Sequence, residues 1–580
     1  MLEEFDGPKY TITIPLTDAA VTVLANCELK IRDGLAGVQC IGSGQPQVTV
    51  LLSVPLGDSV AYWHPTGRWG RPLPPDGFFH TSITSLNSSV PLGCVYQHSG
   101  RSTLGFALDR MIDETKIQYG VLEEEATFLI RIDWNGFRLG ETTDIALVNG
   151  LTMVETLDYL KQWCISKITI PLLAVPAAAT EPVYSTWYSF HAEVSEAAVA
   201  AEARLASSLG CRTLFLDFGW QVNADGRRFE GCGDWVPDTE RFPDLMKFVD
   251  ELHDHGMATV CWIGPLLLGR KSSVFMKLSR FAPHYIPVLD AYILDPRYEE
   301  VRNFIIESCL KLIEDFHLDG LKIDFLDTAM EYAGTSSAGD IHDVGEATRL
   351  LLSDLIGQLR LRGRDDVMIE FRQPYVSPAM AAYANIVRAG DCAGDAVTNR
   401  TSIIDARFTT PQPVHSDMMM WDHSLDGAAV ARHLHSSLFG TPQISVLLQR
   451  ATEEQLAAVR SWIRLWNTLK PTTLGGALLP SLAHSNYPIV RAMDANRARS
   501  VAVIYEPGFV APVDDVSEMV VVNATTEETV VVDIQGSGNY VATAYDIHGV
   551  TAATHRVSAG VSRLMVPQSG WLSLRPAGDS

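Results

Sequence analysis

From residue 183 to 475, short apolar runs of strand length alternate with amphipathic helical stretches, and this alternation restricts the fold more than any other feature. The strand-like runs are YSTWYSF (184–190), TLFLDFGW (213–220), ATVCWIGP (258–265), GLKIDFLD (320–327), VMIEFRQP (367–374), NIVRAGD (385–391), the region HSDMMMW (415–421) and TPQISVLL (441–448). Between them lie helical stretches such as SEAAVAAEARLASSLG, PDLMKFVDELHDHG and YEEVRNFIIESCLKLIEDF. Strands alternating with helices predict a parallel sheet, and eight such strands are enough to close a (β/α)₈ TIM barrel.

The flanks read differently. Residues before about 170 are short alternating runs such as YTITIPL (10–16) and QVTVLLSVPL (47–56), broken by Gly, Pro, Asn and Ser. They predict an N-terminal β-sandwich. PLLAVPAAATEP (171–182) reads as a linker, and after Leu478 alternating runs return, as in SVAVIYEPG (500–508). The expectation is therefore an α/β chain: a β-sandwich over 1–175, a barrel over 176–475 and a C-terminal antiparallel β domain over 476–580.

The 580 residues carry 45 Lys and Arg against 69 Asp and Glu, a net charge of −24, with no basic run. Nucleic acid and anionic membranes would be repelled, so neither is an expected partner. No apolar stretch approaches the roughly 20 residues of a spanning helix. MLEEFDGPKY lacks the basic start and apolar middle of a signal peptide, so the expected location is cytoplasmic. The nine cysteines contain no C-x-x-C pair. They are expected to be mostly reduced and buried, with no zinc site.

In a barrel, catalytic groups sit at the carboxyl ends of strands. Asp217, Trp262, Lys322, Asp324, Arg372, Arg388, Asp391 and Asp417 fall at those ends. Alternation points Lys322 and Asp324 to one face, where the ammonium would keep the carboxylate ionised as a nucleophile requires. A structural ion pair fits that spacing equally well. Asp391 in RAGDCAGD is a second strand-end carboxylate, with Asp395 as its competitor for an acid role unless Asp395 merely caps a helix. Two carboxylates across a barrel mouth suit glycoside cleavage. Trp187, Trp220, Trp235 and Trp262 also fall at strand ends or in the following loops, interleaved with Asp217 and Asp234. Indole faces of this kind pack against the C–H face of a sugar. His415, Asp417 and His423 fit no firm metal motif, and no Gly-rich phosphate loop is present, so no metal or organic cofactor is expected.

The zone from Tyr184 to about Lys470, some 290 residues, resembles the α-galactosidases of glycoside hydrolase family 36, in clan D, on the stretches LFLDFGW, GDWVPDTERFPD, HGMATVCWIGP, DGLKIDFLD and RAGDCAGDA, which follow in this order. The resemblance implies the same three-part layout and a retaining exo-α-glycosidase acting on an oligosaccharide or other glycoside. Asp324 would be the nucleophile and Asp391 the acid/base. Lys322 and Asp217 would bind sugar hydroxyls, and Trp235 would form an aromatic wall. Family members are often dimers or tetramers, so the resemblance also allows a homo-oligomer.

Two departures bear on the sugar. The family usually has adjacent aspartates at the second strand end, on the O4/O6 side of galactose, where this chain has Asp217-Phe218. The family loop that often reads C-S-G-G-G-G, near the sugar's 2-position, is here Glu370-Phe371-Arg372-Gln373-Pro374. Glu370 and Arg372 either recognise a modified sugar or pair with each other. Modified glycones (N-acetylgalactosamine, uronic or deoxy sugars), galactosyl transfer, and an inactive carbohydrate-binding protein are the alternatives to plain α-galactoside hydrolysis.

Overall fold

The computed structural model describes residues 9–13, 20–24, 28–32, 37–41, 47–67, 71–73, 79–135, 142–535 and 538–577, with side chains from Val48 onward. Eight parallel strands close a barrel: β1 Val183–Ser185, β2 Thr213–Leu216, β3 Ala258–Ile263, β4 Gly320–Ile323, β5 Met368–Arg372, β6 Ile386–Arg388, β7 Val414–Met419 and β8 Thr441–Ile444. β8 returns to β1 through Val183↔Gln443 and Tyr184↔Ile444. All eight sequence runs overlap a barrel strand. The first is far shorter than YSTWYSF suggested, because Trp187–Phe190 turn into a helical segment.

The helices follow from amphipathic spacing. In α1, Glu196–Leu209, the buried residues Val199, Ala203, Ala206 and Leu209 form one stripe against the sheet. It stops at Gly210, whose φ of 119° is costly for any side chain.

Alternation along the strands sorts the barrel lumen into layers. Val183, Phe215, Val260, Met368 and Ile386 form one buried apolar cluster. Two residues further along the same faces come Asp217, Trp262, Glu370 and Arg388, with Lys322 of β4 level with Trp262 and Glu370. Register aligns Trp262 with Lys322, Lys322 with Glu370, and Arg372 with Arg388. The chemistry thus begins one layer above the apolar plug, at the carboxyl ends of the strands.

Before the barrel, two six-stranded antiparallel sheets sandwich a core including Val50, Leu52, Phe106, Ile130 and Trp134. After it, a seven-stranded and a three-stranded sheet enclose Ala502, Val521, Val532 and Leu572. These sheets are antiparallel except for two parallel pairs, Arg499–Ile504 with Glu518–Asn523 and Val510–Val513 with Thr529–Ile534. Local alternation reports a strand but not its direction, so those pairs were invisible in sequence. Of YTITIPL, Lys9–Thr13 is a strand and residues 14–16 lie outside the described residues. Among the described residues seven cysteines are free and six of them are buried, and no helix is long and apolar enough to cross a membrane.

Candidate active site

The mouth of the barrel holds a narrow pocket of about 90 Å³ whose wall includes Asp217, Lys322, Asp324, Arg372, Arg388 and Asp391. Its apolar side is Trp187, Phe218, Phe229, Trp262, Phe325 and Met418. A larger cavity of about 430 Å³ shares Arg372 and Asp391 with it, and is lined also by Pro65 and Thr66 from the sandwich and by Gln373 and Pro374. The two cavities therefore meet at Arg372 and Asp391.

Asp324 follows β4 and is buried. Its Oδ2 accepts from Trp262 Nε1 at 3.1 Å and its Oδ1 from the Phe325 amide at 2.7 Å. Arg372 Nε forms a short ion pair with the same Oδ1. Burial alone would raise this carboxyl, but Arg372 and Lys322 outweigh it and hold Asp324 well below the usual carboxylate range. Phe325, the next residue, takes a left-handed φ of 61°. Strain of that kind clusters at ligand sites.

Lys322 does not pair with Asp324 directly. Its Nζ donates to Asp217 Oδ2 at 2.6 Å, with both side chains buried. The Asp217–Lys322 pair thus presents a polar edge to the pocket beside Phe218. The Phe218 ring lines that pocket and packs edge-on against Trp262 and Phe229, with centroids 5.4 and 5.0 Å apart.

Arg388 is fully buried and carries several carboxylates. Its Nη1 lies 2.5 Å from Asp417 Oδ1 and 2.9 Å from Asp391 Oδ1, while Glu370 Oε1 is 3.7 Å from Nε. The Asp391 side chain stays 64% exposed at the rim. Desolvation works to raise Asp391, yet the Arg388 pair holds it below the ordinary value. Burial pushes Glu370 up to about 7. Glu370 accepts from Gln443 Nε2 at 2.6 Å, while Arg372 goes to Asp324 and Asp327. The two residues of the substituted loop have therefore not paired with each other.

Four sequence-predicted contact residues stand behind the pocket rather than on it. Trp220 is fully buried and donates from Nε1 to the Trp262 carbonyl at 2.9 Å, bracing the end of β3. Trp235 is buried against the Trp262 ring at 6.0 Å, a support for the wall instead of the wall itself. Asp234 accepts from the Ser273 amide and hydroxyl, tying two loops together. Asp417 is spent on Arg388 and on the Cys392 amide at 2.7 Å. Each satisfies a neighbouring polar group or packs on one, which periodicity cannot distinguish from facing the substrate. Conversely, Phe229, Phe325, Met418 and Asp327 were not singled out. Phe325 and Asp327 flank the K-x-D run, so adjacency was the available signal. Phe229 sits in a long polar loop that offers none.

Asp395 caps helix α2, Ala396–Arg407, accepting from the Val397 and Thr398 amides at 2.9 and 3.2 Å. His415 is a buried strut: one ring nitrogen faces the Ala179 carbonyl and the other the Gln443 side chain. No group of three or more His, Cys, Asp or Glu able to hold a metal occurs among the described residues.

Residues 177–393 match the Melibiase family model. "Alpha-galactosidase 2" of Pediococcus pentosaceus is 30% identical over 237 residues, covering 40% of this chain and 29% of that protein. "A type blood alpha-D-galactosamine galactosaminidase" of Flavonifractor plautii is 23% identical over 271 residues, 41% of this chain and 24% of that protein. The matched stretch thus spans less than a third of either curated relative. Among solved structures, a family 36 α-galactosidase of Geobacillus stearothermophilus in complex with stachyose superposes with a TM-score of 0.65 at 14% identity, over 98% of this chain and 83% of that one. The α-galactosidase of Lactobacillus brevis gives 0.62 at 13%, over 100% of this chain and 84% of that one. At such identity these structures establish a common fold: a closed parallel barrel flanked by β domains.

Proposed function

We propose that the Melibiase domain of this chain, residues 177–393, carries the active site of a retaining exo-α-glycosidase of the α-galactosidase type. The observation that carries this reading is that Asp324 and Asp391 line one pocket at the barrel mouth, beside the Asp217–Lys322 pair. The named activities of the curated relatives, α-galactoside and galactosamine cleavage, support the same class.

Asp324, kept ionised by Arg372 and Lys322, attacks the anomeric carbon while Asp391 protonates the departing oxygen. Asp391 then takes a proton from water, which releases the sugar from Asp324 with net retention. The glycone occupies the inner pocket, with its apolar face on Trp262 or Trp187 and hydroxyls on Asp217 and Lys322. The leaving group extends into the outer cavity that Asp391 shares.

Asp324→Ala is expected to abolish turnover, with azide restoring it as a β-glycosyl azide. Asp391→Ala should spare aryl substrates with good leaving groups and cripple natural ones. Equal losses in both variants on every substrate would contradict the two roles. A bound sugar with no turnover in the unaltered protein would leave a carbohydrate-binding protein.

A second reading, a glycone altered at C4–C6, is favoured by Phe218, which borders the pocket at the position where the family it resembles usually carries a second aspartate. Residues 1–175, 176–475 and 476–580 as three units belong to the same proposal. It is supported by barrel closure between Val183 and Ile444 and by the long helix Glu453–Gly475 that follows. A reducing, cytoplasmic setting is supported by the free cysteines.

A further inference from the structure

Arg372 serves two carboxylates at once. Nε is paired with Asp324 Oδ1, one terminal nitrogen lies 3.4 Å from Asp327 Oδ1, and the other donates to the Gln373 carbonyl at 2.8 Å. The rings of Phe325 and Tyr375 flank the guanidinium, 5.3 and 5.6 Å from its central carbon. The cluster is largely dry, with side-chain exposures of 15% for Arg372, 12% for Asp324 and 28% for Asp327. A guanidinium in such surroundings needs a counter-charge at every stage of the reaction.

The proposed reaction removes that charge. When an Asp324 oxygen gives its electron pair to the anomeric carbon, the bond to the leaving oxygen breaks, and that oxygen takes its electron pair and the Asp391 proton. Asp324 is then a neutral ester. Lys322 is held by Asp217, and Asp417 and Asp391 are held by Arg388. Among the described residues, Asp327 is the other carboxylate within ion-pair distance of Arg372.

We propose that Asp327 is a positioning residue that receives the Arg372 guanidinium as Asp324 is esterified and returns it when water releases the sugar. The inference rests on Asp324 being the nucleophile. Its geometry needs only a short swing, because the guanidinium already bridges both carboxylates. In the second half-reaction the Asp391 carboxylate takes a proton from water, the water oxygen bonds to the anomeric carbon, and Asp324 leaves with its electron pair and charge. The guanidinium then moves back. Burial works to raise the Asp327 carboxyl, and the nearby Arg372 opposes that.

Two measurements test the exchange. The first is the crystal structure of the Asp324→Asn variant, whose amide is uncharged like the ester. Arg372 should lie on Asp327 in a two-point pair at about 2.7–3.0 Å. A guanidinium that stays in its present place, or turns to solvent, overturns the proposal. This result needs no turnover, so it stands apart from the glycosidase reading, which an absence of turnover on every aryl α-glycoside would defeat. The second is kinetic. Asp327→Asn should lower kcat/KM by about 10-fold or more for activated and natural leaving groups alike, because charge-assisted pairing is lost in the ester-forming transition state. That pattern differs from Asp391→Ala, and Asp327→Glu should recover most of the loss. An Asp327→Asn enzyme within twofold of the unaltered one, or a Glu variant no better than Asn, overturns it.

Discussion

A phenyl ring at position 218 cannot accept a sugar hydroxyl, whereas a carboxylate accepts one with charge assistance. The structure puts that ring at the border of the pocket, almost wholly buried among the apolar residues of the barrel. The missing bond is worth about 1.5–3 kcal/mol, or roughly 10- to 150-fold in kcat/KM. Plain aryl α-galactosides should therefore be poor substrates, and Phe218→Asp should improve them by about 10-fold or more. Efficient wild-type turnover that falls in the variant would sink this account. Asp391 gives the second residue-scale expectation. Arg388 holds its carboxyl below the ordinary value, so at neutral pH the free enzyme carries it ionised and short of its proton. Asp324 is held below the usual range too, and stays ionised as the pH falls. For a substrate with a poor leaving group kcat/KM should rise from neutral toward acid pH, while an activated aryl glycoside should give a flatter profile. A profile rising toward alkaline pH for both would remove Asp391 as the acid. At this scale the sequence was informative about carboxylates, because an ionisable residue at the end of an apolar strand is rare without a reason. It was poor on aromatics, since Trp220 and Trp262 occur in similar strand-end contexts and only Trp262 reaches the pocket.

Elements explain why some contacts were readable. Strand alternation alone aligned Lys322 with Asp324 on a common face, while Glu370 and Arg372 stood out only as substitutions in the family pattern. It could not say which partner each would take, because partners come from neighbouring strands: Lys322 goes to Asp217 after β2, and Arg372 to Asp324 after β4. The RAGDCAGD stretch offered two aspartates, and the start of helix α2 gives them different roles. Asp395 satisfies the first free amides of that helix, while Asp391 precedes the cap and remains at the rim. Asp395→Ala should therefore cost about 1 kcal/mol of stability while the leaving-group dependence of turnover is retained. A variant of unchanged stability whose activated substrates alone survive would transfer the acid role to Asp395.

The whole molecule is joined through a buried polar knot that no local pattern announced. Arg71, just beyond the sandwich strand Ser59–Trp63, forms a short ion pair with Asp405 of helix α2. Tyr487, beyond the barrel, donates to the same carboxylate at 2.7 Å, and Trp63 Nε1 lies 3.0 Å from the Tyr487 hydroxyl. Arg71 also donates to the Ala483 carbonyl at 2.9 Å. Residues from before, within and after the barrel, over 400 positions apart in sequence, thus share one desolvated charge pair. Helix α2 is also the element that Asp395 caps at its other end. Removing one partner strands the other charge in a site where each side chain is 1% exposed, at about 3–5 kcal/mol. Asp405→Leu alone should therefore lower the unfolding midpoint sharply. The double variant Arg71→Met, Asp405→Leu should recover part of the loss, because it leaves no orphaned charge. Urea unfolding of both, followed by a probe in the sandwich and one in the barrel, measures this. A double variant as unstable as the sum of the single ones would mean that the two residues act independently, and that the three parts are held together elsewhere.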